Sequence, residues 1–478
     1  STLDRSSAAS DVYKRQLCVR VLIVRSIKIS TECFFYGDFF MNVKKQFAKY
    51  VSLNILGMVG MSCYIIADSF FIAKAEGANG LTALNLVLPL YNLIFAIGAM
   101  VGVGSAIRYS VLKTRGDSSA DSYLFNALLF TAVLGLVFTF IGIFASEKLL
   151  TLLGADRTIV ETGRDYTCIF MCFSPIFMWN YVANAYVRND GAPTVAMIAT
   201  LSSSLFNIVF DYVLMFPLKM GMKGAALATV LSPVLGITIC SFHLFSKRSN
   251  VKIKPCVPSI KRLISSCQVG IPAFVGEMSS GIITLVFNYV LLSLAGNIVV
   301  AAYGVVANVS LVTLAVFNGI AQGSQPLISR NHGAERHSDV NSLKKLSLIV
   351  ALVMGIILYV VMYFATDPIV AVFNSEHNAQ LAKYANTGVK LYFIGVLFAG
   401  LNIVGSSFFS AVEKAKEAAV ISVLRGFVLV VLFVLILPKA LGVNGVWLSY
   451  PAGEFSAMLV MIVMFLLTNK KEKKQSLI

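Results

Sequence analysis

The sequence predicts an all-α, polytopic membrane protein. Twelve transmembrane helices are expected in two six-helix lobes, related by a pseudo-two-fold axis along the membrane normal. Three observations carry the prediction. Hydrophobic residues make up 57% of the 478-residue chain and charged residues only 13%, against roughly 25% charged residues in a soluble domain. The apolar residues gather into twelve long runs separated by short polar breaks, the pattern of membrane spans. Two stretches 221 residues apart repeat one pattern: Pro217, Gly221 and Gly224 in the first, Pro438, Gly442 and Gly445 in the second. A further pair agrees at an offset of 219, Gly104 with Ser110 and Gly323 with Ser329, and Asp68 falls opposite Asn288 at 220. Six spans per copy is an even number, so both copies start on the same side and form parallel repeats.

Taken in order, residues 1–40 stand apart. STLDRSSAASDVYKRQ is polar, and the short apolar run behind it is interrupted by Arg20, Arg25 and Lys28. It is too charged for a span and lacks a signal-peptide cleavage pattern. A non-native or disordered extension is expected here, with the working chain starting at Met41 in the basic lead MNVKKQFAKY. The first lobe, 41–246, holds spans at about 48–73, 82–107, 122–145, 160–187, 193–216 and 224–246. Several exceed the ~20 residues needed to cross, so they are expected to tilt, kink or project. KRSNVKIKPCVPSIKR, 247–262, carries six basic residues, two prolines and no acids, and reads as a linker. The second lobe, 263–468, holds spans at about 263–294, 299–328, 346–365, 384–412, 418–437 and 443–468, and a basic tail, 469–478, closes the chain. Pro175, Pro272 and Pro326 sit inside spans and mark expected helix breaks, because each removes a backbone donor and frees a carbonyl one turn earlier.

The net charge of +16 suggests nucleic acid only until it is mapped. With the N-terminus in the cytoplasm, the inner segments hold 23 Lys and Arg and the outer loops seven. This positive-inside bias places both termini in the cytoplasm of a multi-pass cell-membrane protein. The expected partners are the lipid bilayer and a small organic molecule, with no nucleic acid, and a monomer is expected. Eight cysteines show no metal-type spacing and four histidines form no cluster. No phosphate-binding GxxxxGK[ST] loop is present, so the chain itself does not hydrolyse ATP. Neither an enzyme activity nor a resident cofactor is expected.

An ionisable group deep in a bilayer is costly and usually functional. The first lobe offers Asp68 and Asp211. Counted from the span ends, Asp68, Asp211 and Thr229 each lie roughly 8–10 Å below the outer end of their helices at 1.5 Å per residue, so they can converge. Asn207 and Asp211, Tyr64 and Asp68, and Asn180 and Asn184 are each four apart and share a helix face. Two carboxylates forced together in a low dielectric cannot both stay charged: one takes a proton, or the pair holds a cation such as Na⁺. Among these, Asn and Tyr also serve simply to join helices. The second lobe carries Glu277 and Glu454 near mid-span and Arg425 nearer the cytoplasmic end. For this group a structural salt bridge and a coupling or substrate role are both open.

The segment YVRNDGAPTVAMIATLSSSLFNIVFDYVLMF, followed by GMKGAALATVLS, and the earlier IIADSFFIA resemble the multidrug and toxic compound extrusion (MATE) family of cation-coupled exporters. The resemblance covers roughly 41–468. It implies a first-lobe site for H⁺ or Na⁺ at Asp68, Asn207, Asp211 and Thr229, with Tyr64, Asn180 and Asn184 as polar neighbours. It implies export of an organic, cationic or amphipathic compound in exchange for the ion, by alternating access. GIPAFVGEMSSGI with Glu277 and GVWLSYPAGE with Glu454 look like one bacterial branch, which keeps a coupling or substrate role open for Glu277, Asn288, Arg425 and Glu454. Many relatives carry a proline early in the first span. YVSLNILGMVGM has none, leaving Gly57 and Gly60 as the places to bend. The alternative, a lipid-linked oligosaccharide flippase of a related superfamily, is expected to carry more basic residues in its cavity than these spans offer.

Overall fold

The computed structural model describes residues 43–374 and 378–475. The expectation for residues 1–40 lies outside them. By packing, the chain divides into Ser1–Lys49 and Tyr50–Ile478. The described part of the first is the start of a helix, and the second carries everything below.

Among the described residues, eleven helices are long and apolar enough to cross a membrane, and a bent pair, taken as one span, makes a twelfth crossing. They are α1 (Val43–Gly77), α2 (Asn79–Thr114), α3 (Ser118–Leu152), α4 (Arg157–Cys172 with Ser174–Asn189), α5 (Pro193–Met215) and α6 (Gly221–Leu244). The second six are α7 (Ile260–Ala295), α8 (Asn297–Gly333), α9 (His337–Phe364), α10 (Ala379–Ala411), α11 (Ala415–Leu441) and α12 (Val443–Gln475). No strand occurs among the described residues. Large apolar side chains stand outward on the spans, as at Phe140 (66% exposed) and Phe144 (67%), which only a lipid surround makes favourable. Many helices run past the ends of their apolar runs, since a helix continues after hydropathy falls. Asp68 is therefore nine residues from the end of α1, not about five.

The repeat is written into the turns. Gly221 and Gly442 share the same left-handed φ of 55°, a conformation that a Cβ penalises. Three residues on, a Cβ at Gly224 would lie 3.0 Å from the Leu214 backbone, and one at Gly445 would lie 2.5 Å from that of Leu437. In the Pro-x3-Gly-x2-Gly pattern the first glycine thus reverses the chain. The second lets the returning helix pack on the one before. Left-handed residues at Gly77 and Gly296, and at Gly116 and Glu335, also fall in pairs 219 apart.

Of the three prolines, only Pro175 breaks its helix. The α4 halves meet at 48°, and Pro175 opens the second half, where a missing N–H costs least. The carbonyl it frees, at Met171, accepts the Ser174 hydroxyl at 2.7 Å. Pro272 and Pro326 lie inside continuous helices α7 and α8; neighbouring spans hold both helices straight enough to absorb one lost bond. The only non-helical residue in the α1–α2 run is Gly77, so α1 is unbroken at Gly57 and Gly60. Gly57 instead meets Thr200 and Met197 of α5.

The two lobes meet through backbone contact at glycines. A Cβ at Gly104 (α2) would fall 1.9 Å from the Ser266 carbonyl oxygen of α7, and one at Gly323 (α8) would fall 2.7 Å from Val51 Cα of α1. These are the repeat mates from the sequence, each pressed against the first helix of the opposite lobe. Their companions Ser110 and Ser329 hydrogen-bond to each other at 3.2 Å, which puts the pseudo-two-fold axis between them. All of this lies toward the face bearing the basic turns and the linker, here the basic face. There Glu413, in the turn after α10, accepts from Arg108 and lies 3.5 Å from Arg115, both of the first lobe. The linker is held to the first lobe at both ends. The buried Asp190 carboxylate accepts from Ser249 Oγ (2.7 Å) and Asn250 N (3.1 Å) and meets His243 Nε2 at 2.9 Å, while Asn126 accepts from Ser259 N at 2.8 Å.

Candidate functional site

Three of the polar groupings among the described residues hold side chains singled out from the sequence. The first is an acidic pocket within the first lobe. Asp211 on α5 is fully buried, Asp68 on α1 is 8% exposed, and Asn207 and Thr229 are 0% and 3% exposed. The two carboxyl groups lie within side-chain interaction range of one another. Asn207 Nδ2 donates to Thr229 Oγ1 at 3.5 Å. Asp68 Oδ1, both Asp211 oxygens and Asn207 Oδ1 are buried without a donor. Four orphaned acceptors in one place are the environment that a proton or a hard cation satisfies. Tyr166 of α4 is buried beside Thr229.

The second is a cavity of about 260 Å³ walled by α1, α2, α4, α5 and α6 of the first lobe and α7 and α8 of the second. Asn180, Asn184, Tyr64, Thr229 and Glu277 line it. Asn184 Nδ2 donates to Asn180 Oδ1 at 3.0 Å, and Thr200 Oγ1 reaches Asn184 Oδ1 at 3.4 Å. Tyr64 and Tyr91 share a hydroxyl contact at 3.1 Å. Tyr64 and Thr229 border both the cavity and the acidic pocket, so the two are adjoining compartments. Across the cavity Tyr181 Oη donates to Glu277 Oε1 at 3.0 Å. Nearer the basic face Arg188 Nη1 donates to Gln322 Oε1 at 2.5 Å.

The third is a closed network in the second lobe. Arg425 grips Glu454 through Nη2–Oε1 at 2.8 Å and Nε–Oε2 at 3.3 Å, and Asn402 Nδ2 donates to Glu454 Oε2 at 2.7 Å. A π-helical turn, Leu424–Val428, carries the arginine. Neither Arg425 nor Glu454 lines the cavity, and the paired geometry is that of a structural ion pair. Removing one partner would strand a buried charge. Arg425→Met is therefore expected to cost about 3–5 kcal/mol, while Arg425→Met with Glu454→Leu recovers most of the loss. Thermal melting of the purified variants checks this, and equal melting of the single and double variants would contradict it.

Of the residues singled out from sequence, Asp68, Asn207, Asp211 and Thr229 come together, and Tyr64, Asn180, Asn184 and Glu277 meet at the cavity. Asn288, the repeat mate of Asp68, joins neither. Sequence reasoning passed over Tyr166, Tyr181, Arg188 and Gln322. A signal existed for two of them, since Tyr181, Asn184 and Arg188 follow the i, i+3, i+7 spacing of one helix face.

A family model described as MatE matches residues 54–213 and 272–436. The chain is 26% identical over 430 residues to the multidrug export protein MepA of Staphylococcus aureus (strain MRSA252), covering 87% of this chain and 92% of that protein. Against the MepA of Staphylococcus saprophyticus it is 23% identical over 421 residues, with the same coverages. A solved structure described as the outward-facing conformation of a multidrug resistance MATE family transporter of the MOP superfamily superimposes with a TM-score of 0.85 at 22% identity, covering 91% of this chain and 97% of the other. A MOP superfamily transporter from Pyrococcus furiosus gives 0.82 at 22% identity, covering 90% and 96%.

Proposed function

This chain belongs to the MatE family, and on that premise we propose that it exports organic, cationic or amphipathic compounds from the cell in exchange for H⁺ or Na⁺. The observation that carries the reading is the adjacency of two compartments. One is a between-lobe cavity with a single carboxylate, Glu277, among its lining residues. The other is an acceptor-only pocket at Asp68 and Asp211 that shares Tyr64 and Thr229 with it. An ion in the pocket and a compound in the cavity can then bias one lobe equilibrium in opposite directions, each by its differential affinity for the two states.

The excess of basic residues on the linker face supports a cytoplasmic location for that face and for both termini. The lobes are pressed together there, at Gly104, Gly323 and Glu413, so this state opens its cavity outward. Opening inward requires these contacts to part, while the Pro-Gly hairpins move with their lobes. The names of the MepA relatives support multidrug export. A flippase for lipid-linked oligosaccharides is not favoured: a pyrophosphate needs a basic cavity, and the lining here offers one arginine opposite one glutamate.

Methionines Met58 and Met61 and the rings of Tyr64, Phe95, Phe177 and Tyr181 line the cavity beside Glu277, a wall suited to a flat lipophilic cation. Glu277→Gln is expected to slow ethidium efflux from cells about tenfold or more, the worth of one charge-assisted contact. Efflux equal to wild type at equal protein level in the membrane would overturn the cationic reading.

A further inference from the structure

The linker between the lobes presents two kinds of side chain at one level. It runs from Phe245, just past the end of α6, to Ile260, where α7 begins. Its inward side is tied to the first lobe. Asp190 accepts from Ser249 and Asn250, and Asn126 accepts from Ser259. Lys254 Nζ lies 3.0 Å from Asp121, and Val251 is buried in the cluster that holds Tyr109 and Tyr123. Pro255 and Pro258 restrict two further φ angles, so the segment keeps little freedom. Four cations remain outward. Lys247, Arg248, Lys252 and Lys261 are exposed, and among the described residues none of them has an acid within 4.0 Å.

Large apolar side chains are interleaved with these cations. Phe245 is 77% exposed and Val257 83%, and Ile253 and Ile260 are exposed as well. Water disfavours each of them. Phe245 falls at the end of the apolar run of α6, and Ile260 stands three residues before that of α7. The segment therefore lies where hydrocarbon gives way to headgroups. Cations alternating with large apolar side chains at that boundary are the composition of an interfacial lipid-binding segment.

We propose that the linker, 245–261, is a docking surface for anionic lipids of the adjoining leaflet. The free cations take the headgroup phosphate, and the apolar side chains enter the acyl region beside it. The charge is of one sign, with six basic residues and no acid in 247–262, which favours an anionic over a zwitterionic headgroup. A soluble phosphate would satisfy the cations but leave Phe245 and Val257 in water; a lipid covers both. Because the linker is tied to the first lobe at both ends, a lipid held there travels with that lobe. The proposal is independent of what the cavity carries.

The test measures binding of fluorescent phosphatidylglycerol and phosphatidylcholine, with identical acyl chains, to purified full-length protein in a neutral detergent. Wild type is expected to bind phosphatidylglycerol at least about tenfold more tightly, since several cations act together near one headgroup. Lys252→Gln with Lys261→Gln is expected to lower that ratio at least about fivefold. Lys345→Gln with Lys416→Gln removes the same charge from exposed positions in the second lobe's basic turns and is expected to leave the ratio unchanged. Ile253→Ser with Val257→Ser should weaken both lipids and leave the ratio unchanged. Equal binding of the two lipids by wild type overturns the proposal. So do equal falls in the two lysine pairs, which would assign the preference to general surface charge. Full displacement of the lipid by excess glycerol 1-phosphate, or unweakened binding in the serine pair, overturns it in favour of a soluble-anion site.

Discussion

Changing Asp211 to asparagine is expected to abolish gradient-driven export while leaving the protein folded in the membrane. Asp211 is fully buried, and both of its oxygens lack donors. Asparagine keeps the size and removes the charge. Removing a buried, unpaired carboxylate does not strand a partner, so folding is expected to hold or improve. In the proposed mechanism ion binding, by contrast, depends on that charge. With the ion unable to distinguish the two lobe arrangements, its gradient can no longer shift their equilibrium. Uphill export should fall about 100-fold or more, with thermal stability unchanged or raised. Asp68→Asn should behave alike, because the two carboxyl groups form one site. Uphill export in membrane vesicles, with melting of the same variants, reads both quantities. Export at the wild-type rate would remove Asp211 from coupling, and a lowered melting point would assign it a structural role.

A second large effect is expected at the lobe contact. The Cβ of any residue at Gly104 would sit 1.9 Å from the Ser266 carbonyl oxygen, and one at Gly270 would sit 2.0 Å from that of Met100. Both obstacles are backbone, which cannot swing aside as a side chain does. Gly104→Val should therefore hold the lobes apart at the basic face and reduce export at least about tenfold, as for any change that removes one of two required states. Gly304 has no heavy atom within 4 Å of an added Cβ, so Gly304→Ala is expected to export at the wild-type rate. Ser329 is 0% exposed in the closed arrangement. With the native cysteines removed, Ser329→Cys should resist a charged thiol reagent applied to the basic face. It should react quickly when Gly104→Val is added. Continued protection with full export would mean that the glycine contact does not control closure.

Much of the architecture was legible because its signals are local. Runs of apolar residues mark spans, and Pro217, Gly221 and Gly224 spell a hairpin whose geometry needs glycine at two defined places. The repeat in spacing, carried by Gly104 and Ser110 against Gly323 and Ser329, located residues that the fold brings to the pseudo-axis. The convergence of Asp68, Asp211 and Thr229 could be read from counting residues along helices, even though α1 ends and α6 begins beyond the apolar runs. What was not legible depends on rotation and on distant partners. Whether Glu454 would pair with Arg425, 29 residues away on the preceding helix, is decided by how α11 and α12 face one another. The partnership of Tyr181 with Glu277 crosses between lobes, 96 residues apart. Pro272 and Pro326 read as breaks because a proline costs one bond locally, and the packing that absorbs that loss cannot be seen from the residue itself.

In the proposed mechanism a buried acidic couple, Asp68 with Asp211, links an ion gradient to the movement of the lobes. Its most direct test is export of ethidium into inside-out vesicles with a proton or a sodium gradient imposed one at a time. Uphill export is predicted under at least one of the two gradients, and its loss is predicted when Asp68 and Asp211 are both changed to asparagine. Uphill export that survives unchanged in the double variant, or wild-type protein that responds to neither gradient, would contradict it.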